Sequence, residues 1–263
     1  MRPTFAAALA AFAFAVAVPA TAAADPPARI TIVSVFDPID FGENAYVNGQ
    51  VLQDTPGGQV VTLEQSAAHL RSKGYDVEHV AANLADEDAI RQVVDRHRER
   101  FGRLDVLVNN AGVGIGATAT DHQTKHVDLQ LDVNLRAIVL FYREAAAMLR
   151  EAGTEHRNAL VVNMASFAGK SPQPWLSVYS ATKAAVIAYT RAMNKELNSD
   201  GVKSVAFCPG FVDTDMSDFI KSSIPSEEML KTRDITEALR FLLRVSPACV
   251  VPEIVFQRPG EFI

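Results

Sequence analysis

From about residue 67 onward, polar and apolar positions change rhythm in a regular way. Stretches in which apolar residues recur every three to four positions alternate with short, nearly continuous apolar runs. That is the pattern of crossover helices and of strands buried on both faces. A helix is predicted near 67–73, then a strand from Val77 to Ala81. Asp86 can cap a helix from about Glu87 to Arg100, whose apolar stripe is Ile90, Val93 and Val94. A strand at 104–109, a long helix at about 127–150, a strand at 159–164, a helix at about 178–197 and a strand at 204–207 follow. Pro209 and Gly210 break the pattern, a polar loop spans about 213–232, and a last helix at about 234–243 leads to a strand at 251–256. This order predicts an α/β fold built on a doubly wound parallel sheet.

The first 66 residues do not share the rhythm. Arg2 precedes an apolar stretch from Phe5 to Val18, followed by Pro19 and the small residues Ala20 to Ala24, the layout of a cleavable secretory leader. A single apolar helix that anchors or packs is the alternative, although the stretch is short for a membrane span. The chain therefore divides into a leader-like segment, 1–24, a β-rich N-terminal segment, 25–66, and a main domain, 67–263. If the leader is used the protein is exported; otherwise it is cytoplasmic. Within 25–66, strands at Arg29 to Val35 and Gln59 to Glu64 fit a diverged first β-α-β unit. Alternation from Ala45 to Leu52 offers a third strand instead, and with it the opening of a β-sandwich. Either way the strand at 30–35 is available to cover the edge of strand 104–109, which would otherwise leave an apolar sheet unpaired.

With 263 residues, 48% hydrophobic and 21% charged, the chain can bury one large core. A net charge of -6 without a basic run argues against nucleic acid or an anionic membrane as partner and points to a small-molecule ligand. Cys208 and Cys249 read as small core residues, and a disulfide between them would need an oxidising compartment and suitable geometry. No metal-ligand spacing appears among them or the six histidines.

The chemistry is concentrated in Tyr179-Ser-Ala-Thr-Lys183 and in Ser166, thirteen residues before the tyrosine. Residues four apart share a helix face, so an ammonium at 183 can pull the phenol at 179 down from about 10 toward the working range of an acid–base catalyst. Hydride transfer to a carbonyl needs a proton donor at the oxygen, a second donor to polarise it and a cation to keep the first donor acidic. Tyr179, Ser166 and Lys183 supply these. Ser166 closes a strand at its carboxyl end, where parallel sheets bind ligands. Taken singly, each has a plainer reading: a surface tyrosine, a solvated lysine, and at Asn134 an amide that pairs backbone within its helix.

Together with Asn109-Asn110-Ala111-Gly112, Asn134 and the run Pro209 to Thr214, these motifs stand in an order and spacing that resemble the short-chain dehydrogenase/reductase family, over about three quarters of the chain. The resemblance implies a Rossmann-like sheet that binds NAD or NADP and interconverts an alcohol with a ketone or aldehyde. It implies Tyr179 as acid/base, Ser166 polarising the carbonyl, Lys183 tuning the tyrosine and holding the nicotinamide ribose, and Asn134 placing a water in a proton relay. Asn109, Ala111 and Gly112 would border the adenosine and stiffen the sheet, and Asn83 replaces the family's usual aspartate beside adenine. Pro209, Gly210, Val212 and Thr214 would flank the nicotinamide carboxamide. Residues 215–232, including Met216, Phe219, Ile220 and Ile224, would form a substrate lid. The helices at 127–150 and 178–197 resemble those that build four-helix interfaces in homodimers and homotetramers of the family.

One departure is large. The family's Thr-Gly-x-x-x-Gly-x-Gly motif is absent between 25 and 66, where Gly42, Gly49, Gly57 and Gly58 fall at unrelated spacing. Those glycines let backbone approach the pyrophosphate at a helix N-terminus, so weakened or lost dinucleotide binding and an irregular replacement of the first βαβ unit are expected. Gly112-Val-Gly114-Ile-Gly116 is no substitute, because it follows the fourth strand and lacks the final glycine spacing. Glu64, if it ends the second strand, would bind a ribose hydroxyl and favour NAD. The missing glycines and the leader support a second reading, a catalytically silent exported fold or binding module. The intact Asn134, Ser166, Tyr179 and Lys183 support the enzyme.

Overall fold

The apolar runs become strands because both of their faces can be covered. The computed structural model describes residues 8–12, 29–35, 48–50, 63–72 and 74–260, with side chains from Ala67 onward except His69 and Asp215. Its strands are β1 (Ala8–Phe12), β2 (Arg29–Val35), β3 (Asn48–Gln50), β4 (Asp76–Ala82), β5 (Val106–Asn109), β6 (Gly112–Gly114), β7 (Ala159–Met164), β8 (Val202–Pro209) and β9 (Glu253–Phe256). The helices are α1 (Leu63–Ser72), α2 (Glu87–Phe101), α3 (Thr124–Leu131), α4 (Ala137–His156), α5 (Ser177–Leu197) and α6 (Thr232–Arg244).

Strands β5, β7, β8 and β9 form a parallel sheet in that order. Its register sets Asn109 opposite Asn163, Met164 opposite Phe207 and Pro209 opposite Phe256. Side chains along β7 alternate between two cores, as the pleat requires. Ala159 and Val161 pack with Ile90, Val94, Ala145, Leu149 and Val186, whereas Leu160 and Val162 pack with Phe207, Ile235 and Leu239. Helices α2, α4 and α5 thus cover one face, and α6 covers the other. The expected cap of α2 is present: an Asp86 carboxylate oxygen accepts from Asp88 N at 2.9 Å. At the other end Gly102, at φ 72°, closes the helix in the left-handed conformation.

Two N-terminal expectations change. Strand β2 pairs along its full length with β4, from Arg29 opposite Asp76 to Val35 opposite Ala82, and does not cover the edge of β5. A seven-residue partner satisfies more backbone groups than the four residues of β5 could. Glu64 does not end a strand. It lies in the first turn of α1, where Leu63, Ala67 and Leu70 recur at helical spacing, and the NAD preference drawn from it falls away. Ala8–Phe12, inside the leader-like segment, forms a strand parallel to β3 and antiparallel to β6. Gly49 lies in β3. Gly42, Gly57, Gly58, residues 59–62 and the rest of the leader-like segment lie outside the described residues. Among the described residues, no helix is long and apolar enough to cross a membrane.

The long helix expected at 127–150 is interrupted by a π-helical turn at Asp132–Arg136, which contains Asn134. Such turns displace a side chain from the regular helical stripe and recur at functional sites.

Candidate active site

Ser166 follows β7 and caps a short turn, Phe167–Gly169, its oxygen accepting from Ala168 N at 3.1 Å. Tyr179 and Lys183 lie one turn apart near the start of α5. The Ser166 hydroxyl lies close enough to the Tyr179 phenol to act on its proton affinity. Lys183 is buried, and its Nζ donates to Met164 O at 2.7 Å, the carbonyl that ends β7. The lysine therefore ties the helix to the strand that carries Ser166.

The electrostatics differ from the simple expectation that Lys183 depresses the tyrosine. Lys183 Nζ is 5.6 Å from the Tyr179 ring centroid and is directed to the Met164 carbonyl. Burial raises the Tyr179 pKa above its ordinary value, and the neighbouring Ser166 hydroxyl draws it partly back. Burial also lowers Lys183, to about 8, opposed by the nearby Cys208 sulfur. Cys208 itself is pushed up to about 12 by burial, and both cysteines are free thiols. In this arrangement the phenol keeps its proton at neutral pH, the form that can give it to a carbonyl oxygen.

Asn134 is fully buried. Its amide clasps the backbone of Val113, accepting from the N–H at 2.7 Å and donating to the carbonyl at 2.8 Å, and also donates to Thr182 Oγ1 at 3.1 Å. One turn earlier, Gln130 Oε1 accepts from Ile115 N at 3.1 Å. The two amides hold β6 beneath α5. Gly112 leaves room there, because a Cβ would lie 3.0 Å from Lys183 Nζ and 3.3 Å from Asn134 Oδ1, tight against both.

The other expected positions are more dispersed. Asn109 is buried and donates to Asn163 Oδ1 at 2.8 Å, so it stitches β5 to β7. Asn163 Nδ2 donates to Tyr142 Oη at 3.0 Å and Thr190 Oγ1 at 2.9 Å, and Tyr142 Oη donates to Ser204 Oγ at 2.8 Å. This buried polar seam joins β5, β7 and β8 to α4 and α5. Sequence reasoning missed it apart from Asn109, although an asparagine inside Leu-Val-Val-Asn-Met was a visible signal. Asn83 follows β4 in a turn of its own, its Oδ1 accepting from Ala85 N at 3.0 Å. Ala111 packs against the larger core. Pro209 ends β8, and Gly210 N donates to Phe256 O at 2.9 Å. Val212 O accepts from Ser217 Oγ at 2.7 Å, and the buried Thr214 hydroxyl is 3.4 Å from the same carbonyl.

The side chains suit the nicotinamide end of a dinucleotide. A buried ammonium, a glycine that gives it room and a buried threonine hydroxyl past the carboxyl end of β8 are polar groups of the kind a ribose and a carboxamide need. The pyrophosphate end has no corresponding glycine run in the sequence.

A parallel sheet with this constellation at its carboxyl ends is the arrangement of the Rossmann-type, nucleotide-binding folds. Residues 57–224 match the family model for short chain dehydrogenases, and the chain belongs to that family. It is 28% identical over 201 residues to a 3-oxoacyl-[acyl-carrier-protein] reductase of Synechocystis, covering 74% of this chain and 80% of the relative. Among solved structures, an alcohol dehydrogenase from Thermococcus sibiricus complexed with 5-hydroxy-NADP superposes with a TM-score of 0.66 at 28% identity, covering 76% of this chain and 84% of that one. A 3-ketoacyl-(acyl-carrier-protein) reductase from Brucella melitensis complexed with NADH gives 0.63 at 28% identity, covering 72% and 81%.

Proposed function

We propose that the protein interconverts an alcohol with a ketone or aldehyde, using NAD or NADP. The observation that carries this is the convergence of Ser166, Tyr179, Lys183 and Asn134 where β6, β7 and the start of α5 meet. In the direction of reduction, Tyr179 donates its phenolic proton to the carbonyl oxygen while Ser166 donates a hydrogen bond to the same atom and disperses the developing charge. Lys183, with one proton engaged by Met164 O, has two left for a ribose hydroxyl and for the proton path that refills Tyr179. Asn134 holds β6 so that Gly112 stays clear of the ammonium. Lys183 and Thr214 would hold the nicotinamide half of the cofactor, which supplies the hydride.

Calorimetric titration of the purified chain with NADH and with NADPH tests this reading, because it asks whether a dinucleotide site exists without the family's glycine motif. Saturable heat with one of the two is expected. A demonstrably folded sample that gives none at millimolar cofactor would overturn the proposal and leave the preserved side chains as ancestry.

The similarity of the helices at 127–150 and 178–197 to the family's interface helices supports self-association as a homodimer or homotetramer. The exposed Val139 on α4 suits such a face. Sedimentation at micromolar protein is expected to show the oligomer, and a monomer would count against it.

A further inference from the structure

The run Gly112-Val-Gly114-Ile-Gly116, which is no phosphate loop, has a different use. Alternate residues of an extended chain face the same way, and these three glycines lie under three side chains in a row. A Cβ at Gly112 would press on Lys183 Nζ. One at Gly114 would lie 3.4 and 3.5 Å from the Tyr179 ring and 3.3 Å from Met216 Cε, and one at Gly116 would overlap the ring carbons of Trp175. Trp175, Tyr179 and Lys183 are spaced four apart. Along this floor Trp175 lies beyond Tyr179 on the side away from Lys183, hence away from the side chains suited to nicotinamide.

Trp175 is held there against a backbone preference. Its φ of 58° puts a bulky residue in the left-handed region, a conformation that persists where the surroundings impose it and that clusters at ligand sites. Its carbonyl accepts from Ala117 N at 2.8 Å. Its ring meets Phe219 edge-on, centroids 5.7 Å apart at 84°, and Phe219 in turn meets Phe211 at 6.3 Å. Trp175 nevertheless remains 43% exposed and Phe219 38%.

We propose that Trp175, braced by Phe219 and Phe211, is the residue that sets specificity at this site, and that it selects carbonyl or carbinol substrates with a flat aromatic ring next to the reacting carbon. The proposal rests on the oxidoreductase reading above. An exposed indole face gains offset stacking from a rigid ring without freezing rotors, whereas a flexible alkyl chain loses rotamer freedom on the same surface. Gly116 belongs to the device, since any side chain there would displace the indole.

Two readouts test it, one independent of turnover. Trp175 is the only tryptophan in the sequence, so intrinsic fluorescence reports on this wall alone. Phenylmethylcarbinol is expected to change that emission saturably and isopropanol is not; equal, non-saturating responses would overturn the wall. In turnover with the cofactor that binds, acetophenone is expected to exceed acetone in kcat/KM by roughly tenfold. The ratio is expected to fall toward one in Trp175→Ala and to be largely kept in Trp175→Phe. A ratio near one in the native chain, or one unchanged in Trp175→Ala, would sink the proposal while leaving the oxidoreductase reading intact. A saturable fluorescence change with no turnover of either ketone would support the wall and overturn the oxidoreductase reading. Gly116→Ala provides a second variant with the indole still present, and its emission is expected to lose the response to phenylmethylcarbinol.

Discussion

Replacing Tyr179 with phenylalanine is expected to lower kcat for ketone reduction by roughly 10²–10⁴-fold, the range spanned by loss of a positioned general acid. The ring stays, so its contact over Gly114 and the packing of α5 survive, and thermal stability and the heat of cofactor binding should barely change. Activity within tenfold of the native chain would rule out the tyrosine as proton donor. The pH profile adds a second constraint. Lys183, lowered to about 8 by burial, is an ammonium below that pH and loses its charge above it. Tyr179, raised by burial, keeps its proton over the same interval. Reduction should therefore be nearly flat below about pH 8 and decline above it. A profile that stays flat up to the ordinary lysine range, near about 10.4, would mean either that burial does not lower Lys183 in the active enzyme or that its charge is not needed.

How far the sequence carried this picture depended on whether a signal was local. Strand 159–164 was read to the residue, because a run apolar on both faces admits little else, and Asp86 marked its helix by side-chain chemistry alone. The reacting side chains were legible from spacing, since four residues on a helix is a distance. Spacing assigns a face, however, and not a hydrogen-bond partner. It therefore brought Lys183 toward Tyr179 and could not foresee the Met164 carbonyl that holds the ammonium. The π-turn around Asn134 was invisible because one widened turn hardly disturbs an apolar stripe. The partner of β2 was mis-assigned because parallel pairing is fixed by the far ends of crossovers and by register, neither of which the strand itself encodes. Trp175 sits in a connecting segment with no period to read, and only the glycines beneath it reveal its place.

The same close approach makes Gly169→Ala a substitution with a large expected effect on the site. A Cβ at 169 would lie 2.7 Å from Lys183 C, 2.8 Å from Ala184 N and 2.9 Å from Lys183 O. All three are main-chain atoms of α5, so no side chain can swing aside and either the helix or the turn after Ser166 must move. Gly169 N also donates to the main-chain carbonyl of Ser166 at 3.0 Å, which ties that turn to the backbone of the residue carrying the polarising hydroxyl. Overpacking of this kind costs about 1–3 kcal/mol, which for a domain of this size lowers the melting temperature by roughly 2–12 °C. The displacement separates Ser166 from Lys183 and Tyr179, and misplacements near 1 Å cost on the order of 10²-fold in rate. Gly74→Ala is the matched control. At φ 90° it is strained but meets nothing within 4 Å, so it should lose stability without losing kcat per folded molecule. Thermal melts and single-turnover rates on both variants separate the two effects. A Gly169→Ala protein that is destabilised yet fully active would show that the Ser166 turn and α5 do not position the reacting groups as one rigid unit.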